Sequence, residues 1–221
     1  MDFVTQLETD FRQQADRNIA INQEAYLQNQ FELYGLPTPL RKEIQKPFLL
    51  KENLPNKKEL PHIITELWSK PQREFQYFAI DLNRKYLKKI EFQDIELFEL
   101  MITNKSWWDT VDLIATNLVG AYFKLFPEQI IPVTKKWMNS DNMWLQRTCL
   151  IFQLKYKEEI DTDLLTDYIL QLKDTKEFFI NKAIGWILRE YTRKNPEWVI
   201  DFVNKYELSN LSKREALKLI N

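Results

Sequence analysis

The chain has 221 residues, a hydrophobic fraction of 44%, an aromatic fraction of 14% and a formal net charge of −1, which suits one globular domain or a tightly fused pair with an ample core. Its three glycines are too few for the Gly-rich phosphate loops of P-loop or dinucleotide-binding folds. The single cysteine, Cys149, and single histidine, His62, exclude an internal disulfide and a Cys/His zinc site, and His62, just after Pro61, reads as a surface residue rather than part of a triad.

The N-terminus, MDFVTQLETDFRQQADRN, has neither a basic n-region nor an apolar h-region, and no apolar run approaches a membrane span, so a cytoplasmic protein is expected. Apolar residues recur at three- and four-residue spacing, and alternating strand patterns are absent. In chain order, helices are predicted over 2–17, 20–33, 39–50, 57–69, 71–89, 92–103, 107–125, 127–138, 142–155, 162–172, 176–193, 196–205 and 212–219. Pro39, Pro61, Pro71, Pro127 and Pro196 mark helix starts, where a missing N–H costs least. The clearest non-helical stretch is YGLPTP, residues 34–39, read as a stiff connector.

A repeat underlies these helices. Trp68, Met101, Trp137 and Leu172 each close one helix at spacings of 33, 36 and 35 residues. Phe75, Trp108, Trp144 and Phe179 each stand early in the following helix at the same spacings. Helix, turn and second helix recurring about every 35 residues predict an all-α fold, an α-solenoid in which each pair buries its apolar face on the next. A single repeat domain over 1–221 and a monomer are expected.

The densest cluster is SWWDTVD, residues 106–112. Ser106 and Asp109 fit a capping box, and Asp109 also suits the positive end of the helix dipole. At about 100° per residue the apolar stripe runs through Trp107, Val111, Ile114 and Leu118, with Asp109 about 160° away on the far side. Trp108 and Asp112 are i,i+4 neighbours at the stripe's edge, where a fixed carboxylate beside an indole could meet a cation. On the pattern alone, a rim aspartate paired with a Lys or Arg is the better explanation of Asp112.

Aligned by the repeat, Asp112, Arg147 and Trp186 fall on the second helices of consecutive units. Arg147 also reads as an ordinary salt-bridge partner and Trp186 as core. Gly185 beside Trp186 marks close packing or close ligand approach, since Gly costs a helix about 1 kcal/mol relative to Ala. Lys182 and Arg189 share a face with Trp186, a basic rim suited to phosphates. The stretch from Lys176 to Lys194 adds Arg193 against only Glu177 and Glu190.

Five segments, YGLPTPLRK (34–42), ELWSKPQREFQYFA (66–79), SWWDTVD, WLQRTCLIFQLKYK (144–157) and FFINKAIGWILREYTRKNPEWV (178–199), together resemble the AlkD-like DNA alkylation repair glycosylases, built of HEAT-like repeats. The resemblance covers nearly the whole chain. It implies a concave DNA-binding face and hydrolysis of the N-glycosidic bond of cationic N3- or N7-alkylated purines in duplex DNA. It also implies catalytic roles for Asp112, Trp108 and Trp186 and a phosphate contact for Arg147. Lys182 and Arg189 are then expected to bind DNA, with no metal, cofactor or membrane involved. Without the resemblance, a non-catalytic helical-repeat scaffold for DNA or protein remains the alternative.

Overall fold

The computed structural model describes residues 2–220, whose regular elements are helices. Among the described residues the only β pairing is an isolated bridge between Glu32 and Gln72, and no helix is long and apolar enough to cross a membrane. The chain divides into two compact units, one ending at Lys89 and one beginning at Ile90.

The first unit contains α1 (Phe3–Gln13), α2 (Arg17–Tyr26), α3 (Thr38–Gln45), α4 (Leu60–Ser69) and α5 (Arg73–Arg84). The predicted first helix, 2–17, stops at Gln13 because Asp16 caps a new helix, accepting from the N–H groups of Asn18 and Ile19. The predicted second helix, 20–33, ends at Tyr26, where Gln28 and Asn29 turn left-handed at φ 57 and 56. Helix 39–50 shortens likewise to Thr38–Gln45, followed by two 3-10 turns, Pro47–Leu49 and Lys51–Asn53. His62 lies exposed on α4.

The YGLPTP segment is held by a residue 40 positions away. Glu74, 1% exposed on α5, accepts from the backbone N–H groups of Tyr34, Gly35 and Leu36 at 3.1, 3.1 and 3.3 Å. Burial pushes its carboxyl above the ordinary glutamate range, and these backbone N–H groups pull it back. Gly35 sits at φ +85, and a Cβ there would lie 2.0 Å from the Asp16 carbonyl oxygen. The connector is therefore clamped between α2 and α5.

The second unit contains α6 (Asp94–Thr103), α7 (Trp108–Ile114), a π-helical turn (Ala115–Val119), α8 (Gly120–Leu125), α9 (Ile130–Met138), α10 (Met143–Ile151), α11 (Thr162–Leu172), α12 (Phe178–Thr192), α13 (Pro196–Lys205) and α14 (Asn210–Ala216). Here the repeat is realised. Met101, Trp137 and Leu172 are buried near the ends of α6, α9 and α11. The second helices follow one another in contact, α7 on α10, α10 on α12 and α12 on α14. The predicted helix 107–125 is continuous in direction but widens into the π turn. Gly120 closes that turn because a Cβ there would come within 2.6 Å of the Phe152 carbonyl oxygen.

Removing the Glu74 carboxylate leaves three loop N–H groups without acceptors. Glu74→Ala is expected to lower unfolding free energy by about 2 kcal/mol or more, since bonds to charged groups contribute roughly 1.5–3 kcal/mol. Urea denaturation checks this. A loss no larger than the roughly 0.5 kcal/mol of an ordinary surface substitution would show that the loop does not depend on Glu74.

Candidate active site

Helix α7 opens at Trp107, whose φ −159 and ψ 157 make it an extended N-cap with no side-chain cap bond. The predicted capping box does not form. The Ser106 hydroxyl donates instead to the Ile102 carbonyl at 2.6 Å, back toward the end of α6, a local bond that competes with capping. Asp109 remains in the first turn of α7. Val111, Ile114 and Leu118 are fully buried, as the apolar stripe predicts. Trp107 lies outside the helix proper and packs on the rings of Trp144 and Phe179 at 5.8 and 5.2 Å, with Trp144 and Phe179 themselves 5.1 Å apart. Trp107 thus joins the ring cluster at the starts of α7, α10 and α12.

Asp112 and Arg147 meet. Arg147 Nε donates to Asp112 Oδ1 at 2.7 Å and Nη2 to Oδ2 at 2.8 Å, a bidentate fork that fixes both planes. Arg147 Nη1 donates to the carbonyl oxygen of Phe179. One guanidinium therefore ties α7, α10 and α12 together. Its side chain is only 5% exposed, against 14% for Asp112, so the carboxylate is the more accessible member. Burial pushes the Asp112 carboxyl above the ordinary aspartate range. The hydrogen bonds and charge of Arg147 oppose that shift, and the charge of Asp109 adds to it. Asp109 is therefore an electrostatic neighbour of the pair despite its expected far-side position.

This geometry changes what Arg147 can do. Three of its five N–H groups are engaged with Asp112 and Phe179, leaving one on each terminal nitrogen. The phosphate contact expected for it would have to use those two from a nearly closed position.

Trp108, the first residue of α7, is half-buried one turn before Asp112. Trp186 is half-buried on α12, between Lys182 and Arg189, and is not a fully enclosed core residue. The two cations flanking it converge on one acid. Lys182 Nζ and Arg189 Nη1 lie 3.2 and 2.7 Å from the carboxylate oxygens of Glu215 on α14. Burial pushes Glu215 upward, and the bonds and charges of Lys182, Arg189 and Lys218 outweigh it, leaving its carboxyl below the ordinary range. Arg193 pairs with Glu190 and Lys194 with Glu158. The basic rim is thus largely neutralised, by Glu215 and Glu158 from far off in sequence and by Glu190 one turn away.

Gly185 is explained by packing. A Cβ there would come 2.5 Å from Glu215 Cβ and 2.9 Å from the Ser212 carbonyl oxygen, so the glycine lets α14 cross α12 and deliver Glu215. Sequence reasoning missed Glu215 and gave Phe179 no role beyond marking the repeat.

A family model described as "DNA alkylation repair enzyme" matches residues 7–220. The chain belongs to this family of DNA alkylation repair enzymes. A solved structure described as "Predicted DNA alkylation repair enzyme from Enterococcus faecalis" is 33% identical, superposes with a TM-score of 0.87, and is matched over 94% of this chain and 97% of that one. No curated protein matches the chain significantly. Family membership places it in the repair of alkylated DNA, and the all-α fold agrees with the solved relative.

The ion pair of this family member is testable by a double substitution. Asp112→Asn strands a buried guanidinium and is expected to cost about 3 kcal/mol, whereas replacing both partners by apolar residues of similar size is often close to neutral. Asp112→Leu/Arg147→Met should therefore recover most of the loss in urea denaturation. Equal stability of Asp112→Asn and wild type would mean that the pair contributes nothing to the fold.

Proposed function

We infer that the protein is a DNA glycosylase that hydrolyses the N-glycosidic bond of cationic N3- and N7-alkylated purines in duplex DNA. The observation that carries this reading is a nearly buried carboxylate, Asp112, locked in orientation by the Arg147 fork within a chain of the DNA alkylation repair family.

The chemistry asks little of such a site. A purine alkylated at N3 or N7 is already positively charged and leaves as a neutral molecule, so no strong general acid need protonate it. The electron pair of the breaking C1′–N bond departs with the base, and the deoxyribose becomes cationic. A carboxylate oxygen near C1′ stabilises that charge and can orient the attacking water, which gives its oxygen to C1′ and releases a proton. Each oxygen of Asp112 accepts one bond from Arg147 and keeps lone-pair capacity for a second partner. Trp108 and Trp186 offer indole faces, each contributing about 0.5–2 kcal/mol toward a cation. In this mechanism Arg147 positions Asp112. Lys182 and Arg189 present one net positive charge to a phosphate once Glu215 is counted.

Methylated duplex DNA, with released 3-methyladenine and 7-methylguanine measured, tests the proposal. Wild type should release both bases. Asp112→Leu/Arg147→Met, once urea denaturation shows it folded, should lose about a hundredfold or more, the scale of removing one electrostatic stabiliser. No release by wild type sinks the enzyme reading and leaves a binding scaffold. Undiminished release by the folded double variant sinks the role of Asp112 alone.

The working form of Asp112 is the carboxylate, and burial raises its pKa, so protonation begins above the ordinary value of 3.8. Single-turnover excision by wild type should fall with decreasing pH along a limb centred above that value. A limb at or below 3.8 would contradict the raised pKa.

A further inference from the structure

The first unit carries a concentration of exposed cations that the site in the second unit does not use. A cavity of ≈ 540 Å³ is lined by Lys42, Gln45, Lys46, Leu49, Leu50, Asp81, Arg84, Lys85 and Leu87. Lys42 and Lys46 come from α3 and its C-cap, Arg84 and Lys85 from the end of α5. Lys88 and Lys89 follow in a 3-10 turn.

The single acid of this cavity is already spent. Asp81 Oδ2 accepts from Gln45 Nε2 at 2.7 Å and lies 3.4 Å from Arg41 Nη1, and its Oδ1 lies 3.4 Å from Arg84 Nη1. Arg41 is buried, 8% exposed, with its guanidinium 5.0 Å from the Tyr77 ring. Asp81 therefore faces two arginines, the buried Arg41 and the exposed Arg84, and the exposed charges of Lys42, Lys46 and Lys85 are left without an acid. Among the described residues, no acid lies within salt-bridge distance of Lys42, Lys46 or Lys85, in contrast to the paired Lys182, Arg189, Arg193 and Lys194. Glu43, the one acid on the exposed part of α3, does not line the cavity.

Helix C-termini favour lysine, which accounts for part of this composition. That preference does not bring the ends of two helices to one concavity. Nor does it explain an apolar floor of Leu49, Leu50 and Leu87, with Leu50 41% exposed. Lysine stems can lie along such a floor with their ammonium groups projecting over it. The shape and charge suit a chain of anions spaced along an apolar sugar framework.

We propose that this face of the first unit is a second DNA-binding surface, with Lys42, Lys46, Arg84 and Lys85 contacting phosphates of undamaged duplex. It rests on DNA being the substrate, as the proposed function has it, but not on Asp112 or on excision. Contacts of this kind supply affinity without sequence preference. They release counterions, so each phosphate neutralised adds about 0.9 to the slope of log affinity against log salt.

The test compares two triple variants of the full chain on unmethylated duplex DNA over a range of salt. Lys42→Gln/Lys46→Gln/Lys85→Gln is set against Lys58→Gln/Lys135→Gln/Lys205→Gln, which removes equal charge from exposed lysines elsewhere. The first should reduce the magnitude of the salt slope by about 2–3 and weaken binding at least tenfold at low salt. The second should change either quantity much less. The first triple should also retain the wild-type single-turnover excision rate at saturating methylated DNA. An unchanged slope, or equal losses in both triples, overturns the proposal. The former is also the result expected if the face serves an acidic protein instead. Unmethylated DNA keeps this outcome separate from any failure of the glycosylase reading.

Discussion

The Arg147 guanidinium is the constraint on which the site depends. It reaches Asp112 on one neighbouring helix and the Phe179 carbonyl on the other. Its planar fork imposes a direction on each bond, so the relative placement of three successive second helices is fixed by one side chain. Beside it, the rings of Trp107, Trp144 and Phe179 fill the space where those helices begin. The rings set the spacing and the guanidinium sets the orientation. Neither alone would hold a carboxylate to the tolerance that chemistry requires.

A buried ion pair is a poor source of stability, because desolvation consumes most of the Coulombic gain. Its retention here is better accounted for by orientation. Pairing also changes what Asp112 offers. With Arg147 the local charge sums to zero, so the site does not act as a bare anion that captures any cation. What it supplies is an oriented oxygen, whose interaction strengthens as positive charge develops close to it. On the proposed reading that is the property needed, since stabilisation must be greater in the transition state than in the bound substrate. On the same reading the half-buried indoles of Trp108 and Trp186 would add attraction that is likewise short-ranged.

The periodic parts of this architecture were legible in the sequence. Met101, Trp137 and Leu172 mark helix ends because a repeat must bury the same position each time, and the 35-residue spacing follows from one helix pair per unit. The same alignment put Asp112 and Arg147 on adjacent second helices, though not their pairing. What was illegible depends on contacts remote in sequence. Glu215 neutralises Lys182 and Arg189 from a helix that only Gly185 allows to approach. Glu74 clamps the 34–36 loop from 38 to 40 residues away. Local rules misled where two local bonds compete, as at Ser106, whose hydroxyl turned back to Ile102 rather than forward to cap α7. The π turn after Ile114 had no signal of its own, because a helix with one inserted residue keeps nearly the same composition.

Charge is the last thing that averages conceal. A net charge of −1 argues against nucleic-acid binding only if the charges are evenly mixed. In the second unit they nearly are: around Trp186 the cations Lys182, Arg189, Arg193 and Lys194 each meet an acid. A site so neutralised can orient a sugar but has little with which to attract a phosphate backbone at a distance. Affinity and chemistry would then have to come from different places. On the proposed reading the lysines of the first unit that have no acid partner would supply the former, while near charge balance around Trp186 suits the latter, since an excess of cations at the reacting sugar would oppose the positive charge that the reaction develops.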